Sequence, residues 1–308
     1  MRTLLLVLTL IGIIAHSSAA PGKIGALMLN DGPFWTTVEK GVKAGATAGG
    51  LEAATIIPPI TNGATQAKYL SVLAAQKPGV ILFNPSWQEQ TNDAMKSCLA
   101  SGIKLIALEG QLPAEVPHLF VGHDRTGLGK TGAKLLVSLA TDSDEVGFLR
   151  VPNQKTYTDN ELEAIKAMRE HHPKAIVRAD IFGRQNRSEN LAQAVLLLQK
   201  YPQLRIVYTT SSGSSIDMLQ ALKQTGRAGK VRFIGFGVSL PAEVAAAIEN
   251  GTIEAWIAQN PYAVGRKAAE LAAALLDGKT VPEVSYVDAM VVTKQNLRDP
   301  QVQELLSH

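Results

Sequence analysis

Short apolar runs and longer amphipathic stretches alternate along nearly the whole chain. Ile24–Leu29 is a mostly apolar run of strand length, the pattern of a strand buried on both faces. Asn30-Asp31-Gly32-Pro33 breaks it with four turn formers, and Pro33 suits the first position of a helix. Phe34 and Trp35 follow, ahead of a helical stretch over Thr36–Ala48. The alternation continues with strands at Leu51–Pro58, Gly79–Phe83, Ile103–Leu108 and Leu119–Val121, and helices at Thr61–Gln76 and Gln88–Ser101. It then restarts. Helices are predicted at Thr126–Ala140, Thr158–His171, Ser188–Tyr201, Ile216–Gln224, Pro241–Asn250 and Ala263–Leu276. The strands between them fall at Glu145–Val151, Ala175–Phe182, Arg205–Thr210, Val231–Phe236 and Glu254–Ala258, with a last one near Val284–Val292. Strands separated by helices imply right-handed crossovers and a parallel sheet covered on both faces. Two such runs predict an α/β chain of two doubly wound parallel-sheet lobes, with a ligand cleft between the two sets of strand ends. Phe34 and Trp35 lie at such an end, where they either cap the core or face a ligand.

The first residues change the picture of where the chain works. Arg2, the apolar run Leu4–Ala15 and the small residues Ser17-Ser18-Ala19-Ala20 have the layout of a cleavable signal peptide, residues 1–20. The apolar run is shorter than the roughly 20 residues that span a bilayer, and no later stretch reads as a span. Export of a soluble chain points to a periplasm. With 308 residues in all, the mature length suits two domains at about 100–200 residues each. The formal charge is +3 with acids and bases interspersed, so there is no basic tract for nucleic acid. Cys98 is the single cysteine, which excludes an internal disulfide and a cysteine metal site; it sits in a predicted helix as a structural thiol.

Catalytic motifs do not survive inspection. Gly127-Leu128-Gly129-Lys130-Thr131 has the end of a phosphate loop, but Asp124 stands where the first glycine is required. Ser211–Ser215 lies on a strand-to-helix turn without the glycine frame of a nucleophile elbow, so these serines read as helix caps with hydroxyls to spare for a polar ligand. His171 and His172 end a helix, where the dipole favours them, and no carboxylate spacing completes a zinc set. His123 ends a strand facing the cleft, and so does Glu109, whose carboxylate could accept hydroxyl or amine hydrogen bonds. The chain reads as a non-enzyme with no cofactor.

Five stretches in register resemble one family. Leu29–Trp35 is similar to its N-x-P-F-F/W turn, Leu82–Pro85 to its I-N-P strand end, and Ile106–Glu109 to its T-L-D. Ile234–Gly237 is similar to its V-G-F-D, and Ile257–Pro261 to its I-A-Q-x-P. Behind a signal peptide, and from Lys23 to about Asn296, the chain resembles the ribose/galactose-type periplasmic binding proteins, the solute-binding subunits of ABC transporters. The resemblance implies two lobes joined by three crossings, near Gly122–Thr126, Ala258–Pro261 and Pro282–Asp288, that close on a ligand by hinge motion. Lobe I would hold residues 21–123 plus 260–284, and lobe II residues 124–259 plus 285–308. It also implies Phe34 and Trp35 as stacking aromatics, Asn84 and Gln259 as amides, Asp31 or Asn30 at the first turn, and Glu109 for the usual Asp. Tyr157, Asp159, Gln185 and Ser211 complete the ligand set from lobe II. The departures are Gly237 for the usual Asp, Ser211 for the usual Asn, and no sugar-gripping Arg around Tyr157–Glu161. The implied role is a monomeric receptor that delivers a small sugar-like or polyol-like ligand to a membrane permease. The alternative is a sensor that reports to a histidine kinase or chemoreceptor.

Overall fold

In the computed structural model of the chain, which describes residues 22–151, 155–183 and 186–306, the alternation becomes two six-stranded sheets. The first lobe contains β1 (Lys23–Leu27), α1 (Pro33–Ala48), β2 (Glu52–Ile56), α2 (Gly63–Ala75), β3 (Val80–Phe83), α3 (Gln88–Ala100), β4 (Lys104–Leu108) and β5 (Leu119–Gly122). The second contains α4 (Arg125–Leu139), β6 (Glu145–Arg150), α5 (Lys155–His171), β7 (Ile176–Phe182), α6 (Arg187–Lys200), β8 (Ile206–Tyr208), α7 (Ser212–Gln224), β9 (Arg232–Val238), α8 (Ala242–Glu249) and β10 (Ala255–Gln259). The chain then returns to the first lobe as α9 (Pro261–Leu276) and β11 (Val284–Tyr286), and ends in the second as β12 (Met290–Val292) and α10 (Pro300–Leu306).

The two sheets share one order: β2-β1-β3-β4-β5-β11 and β7-β6-β8-β9-β10-β12. All neighbours are parallel except β10 and β12. Within each sheet the order reverses beside the first strand, so β1 and β6 flank the crevice where such sheets bind ligands. Strands buried on both faces explain the unbroken apolar runs. Val80 and Leu82 pack toward α1 and α9, while their neighbours Ile81 and Phe83 pack toward α2 and α3. In the second lobe Val146 and Phe148 face α4 and α5, and Leu149 faces α6 and α7.

The returning helix α9 is fastened to α1 by small residues. A Cβ added at Gly41 would strike the Tyr262 carbonyl oxygen, and one at Gly265 would strike the Val38 carbonyl oxygen and lie 2.8 Å from Val42 N. The two backbones therefore touch, which larger residues would prevent. Between the helices run Val38, Val42, Val264 and Ala268, all fully buried.

Three features differ from the sequence reading. Helix α1 begins at Pro33, so Phe34 and Trp35 lie inside its first turn and not ahead of it. The last strand is two: Val284–Tyr286 pairs parallel with β5, whereas Met290–Val292 pairs antiparallel with β10. One strand cannot serve two sheets, so the third crossing narrows to residues 287–289, and Ser285 and Tyr286 move to lobe I. Helix α10 was not anticipated; it buries Val302 and Leu305 against lobe II. The segment 1–20 read as a signal peptide lies outside the described residues. Among the described residues no helix is long and apolar enough to cross a membrane.

Candidate functional site

The turn after β1 is held by its own side chain: Gly32 N–H donates to Asn30 Oδ1 at 2.9 Å. That leaves the Asp31 side chain exposed and sets Pro33 at the helix start. The aromatic pair then divides. Trp35 is 7% exposed and belongs to the core with Val38 and Val42. Phe34 is half-buried, edge-on to Trp35 at 5.2 Å and 6.4 Å from the His123 ring. Successive helical residues point about 100° apart, so one partner faces the sheet while the other looks along its carboxyl edge.

Asn84 is buried and committed to structure. Its Nδ2 donates to Leu108 O at 2.8 Å, its Oδ1 accepts from Ser86 Oγ, and its carbonyl accepts from Gln66 Nε2 at 2.7 Å. Glu109 is likewise engaged. It is 6% exposed, and its Oε1 lies 2.5 Å from His123 Nδ1. The other ring nitrogen, His123 Nε2, accepts the Asn260 N–H at 3.0 Å. A nitrogen that accepts carries no proton, so Nδ1 is the donor and Glu109 the acceptor. Asn260 in turn caps α9, its Oδ1 accepting from Ala263 N at 3.0 Å. Glu109, expected to grip a ligand, therefore braces the first crossing against the second. The Arg125 guanidinium adds a 2.7 Å bond to the Glu109 carbonyl. Glu109→Ala should cost about 1–3 kcal/mol, because His123 Nδ1–H loses its buried acceptor. Glu109→Gln, which keeps an acceptor oxygen, should cost less; urea titrations of both variants check the order.

On lobe II, Ser211 Oγ accepts from Ser214 N at 3.2 Å and caps α7. Gln259, half-buried, ends β10, and its carbonyl accepts from Ser239 N at 2.9 Å. Asp159 is exposed on α5 and lines a cavity of about 210 Å³ between α4 and α5, with Arg125, Lys130 and Glu163. The Tyr157 side chain and Gln185 lie outside the described residues. Glu109 and Ser239 end the fourth strands of their lobes with φ of 59° and 55°, the left-handed region that costs non-glycine residues energy.

Gly237 has a physical cause. The indole of Trp256, on the neighbouring strand β10, lies across β9 and fills the places where Cβ atoms of Gly235 and Gly237 would stand. Its Nε1–H donates to Ser239 O at 3.1 Å. A longer side chain at 237 has no room.

Sequence reasoning passed over Arg150, Glu161 and Phe182 at the lobe II strand ends. Arg150 Nε lies 3.4 Å from Glu161 Oε2, and its guanidinium carbon stands 4.6 Å from the Phe182 ring centroid. Glu161 Oε1 accepts from Val151 N at 2.8 Å and Thr210 Oγ1 at 3.0 Å. An arginine closing the apolar run Val146–Leu149 at the end of a strand was the available signal. Among the described residues, no group of three or more His, Cys, Asp or Glu is arranged to hold a metal ion, and Cys98 is buried in the lobe I core.

Residues 26–280 match the family described as the periplasmic binding protein domain. Among curated proteins, the D-allose-binding periplasmic protein of Escherichia coli K12 is 24% identical over 307 residues, covering 93% of this chain and 97% of that one. The ribose import binding protein of Bacillus subtilis 168 is 24% identical over 260 residues, covering 81% and 79%. Two solved structures share the fold. A sugar-binding protein of a sugar ABC transporter from Bacillus halodurans superposes with a TM-score of 0.78 at 19% identity, covering 90% of this chain and 98% of that one. A solute-binding protein from Actinobacillus succinogenes with bound D-allose gives 0.75 at 21% identity, covering 89% and 98%.

Proposed function

The chain belongs to the periplasmic binding protein family, and on that premise we propose that it is a non-catalytic receptor that captures a small polar, sugar-sized ligand between its lobes and passes it to the permease of an ABC transporter. The observation that carries this reading is the pair of matching switch points, β1 with Phe34 in one lobe and β6 in the other, joined by crossings braced through His123. Phe34 offers a ligand an apolar face, while Asp31, Ser211 and Gln259 offer polar edges. Closure about residues 123–125, 259–261 and 287–289 would bury the ligand and bring both lobes onto one permease surface. Relatives named for D-allose and ribose support a ligand of monosaccharide size. A periplasmic address fits the family and the leader-like residues 1–20.

Mass spectrometry of the ligand that copurifies, followed by calorimetric titration of the stripped protein with monosaccharides and their derivatives, tests the reading. Failure to bind any of them would sink it. Phe34→Ala should weaken binding about tenfold, the loss of one aromatic face. Trp35→Ala should instead lower the melting temperature and leave the affinity of the folded protein nearly unchanged, because Trp35 packs in the core.

A further inference from the structure

Resting on the receptor reading, we propose that Arg150 selects the ligand, and that the ligand carries a carboxylate, as a sugar acid does, directed at lobe II. Arg150 ends β6, the strand beside the lobe II switch point, in register with Phe182 at the end of β7. Its guanidinium is oriented on two sides. Nε is tied to Glu161, and one face rests on the Phe182 ring, which is itself 41% exposed. Among the described residues, the terminal Nη1 and Nη2 groups meet no protein acceptor, and the side chain keeps 18% of its surface open. A planar fork held from behind with its two ends unused is the form that binds a carboxylate bidentately. A neutral hydroxyl would use only part of that fork.

Glu161 is a brace and does not compete as a ligand group. It is 1% exposed and spends its oxygens on Val151 N, Thr210 Oγ1 and Arg150. Burial, offset in part by these hydrogen bonds, holds its pKa above the usual glutamate value. Two positions where a carboxylate would repel an anionic ligand are closed. Glu109 is turned onto His123, and the Trp256 indole occupies the place of a side chain at 237. Asp31, exposed on the lobe I turn, and Asp159, exposed on α5, are the exceptions.

The test is calorimetric titration of ligand-stripped protein with D-galacturonate, D-glucuronate and D-gluconate against D-galactose, D-glucose and D-ribose. The wild-type chain should prefer an acid to its neutral counterpart by about tenfold or more, since a hydrogen bond to a charged group is among the stronger ones. Arg150→Gln should erase that preference, and Arg150→Lys, which keeps charge without the fork, should restore only part of it. Should Arg150→Gln fail to fold by circular dichroism, Arg150→Lys and Phe182→Leu carry the comparison, each lowering acid affinity more than neutral affinity. Neutral sugars bound as tightly as acids, or an acid preference that survives Arg150→Gln, overturns the inference and leaves the receptor reading standing. No binding of any sugar or acid, with nothing copurifying, overturns both.

Discussion

Gly265→Val lowers the stability of the chain by about 4 kcal/mol or more, above the common range for overpacking, because the atoms in its way are backbone. A Cβ at 265 collides with the carbonyl oxygen of Val38 and crowds Val42 N, and the reciprocal contact at Gly41 meets the Tyr262 carbonyl and Arg266 N at 2.9 Å. A side chain can rotate away from such an intruder. A helical carbonyl cannot move without parting the helices, which would open the buried seam of Val38, Val42, Val264 and Ala268. The effect reaches the cleft, since α9 is capped by Asn260, the residue whose N–H is held by His123. Gly213→Ala is the control: an added Cβ there meets nothing within 4 Å, so the change should stay within about 1 kcal/mol of wild type. Thermal and urea unfolding of both variants decide the matter. A Gly265→Val protein as stable as the control would mean that the helices do not touch in this way.

How much of this was legible beforehand depends on the range of the interaction. The two lobes follow from runs such as Val80–Phe83, apolar on both faces and bounded by turn formers, and that signal is local. The split of the last strand was not legible, because Val284–Tyr286 and Met290–Val292 are short and owe their assignment to β5 and β10. The site was harder still. Nothing local distinguishes a carboxylate awaiting a ligand from Glu109, whose partner His123 comes from the adjacent strand. Trp35 and Phe34 look interchangeable in sequence, and only the path of α1 across the sheet sends one into the core. Arg150 was hidden for the opposite reason. It stands in a strand end outside the stretch where the family's arginine was sought, and its neighbours Phe182 and Glu161 come from two other elements.

Gly237→Asp, which restores the family's usual residue, should destabilise the chain by about 3–5 kcal/mol and create no new grip on a neutral sugar. The reason is Trp256. Its indole already fills the space beside both Gly235, where an added Cβ would lie 2.5 Å from Cε3, and Gly237, where one would lie 3.1 Å from Cε2. The ring is 1% exposed and anchored through Nε1–H to Ser239 O, a residue in the left-handed region that cannot shift freely. An aspartate would have to displace the ring or be buried against it with its charge unpaired. Trp256→Ala alone should cost about 3–5 kcal/mol, from lost burial and a cavity. In the double variant the aspartate occupies room the indole has vacated and can be hydrated from the cleft. The two losses should therefore fall short of additive by about 1–3 kcal/mol. Urea unfolding of the two single variants and the double variant measures that coupling. Losses that add in full would show that the indole does not exclude a side chain at 237, and the absence of an aspartate there would need another cause. A deficit from additivity, together with D-ribose affinity regained only in the double variant, would establish that the polar grip was lost by filling its place and not by a single change at the glycine.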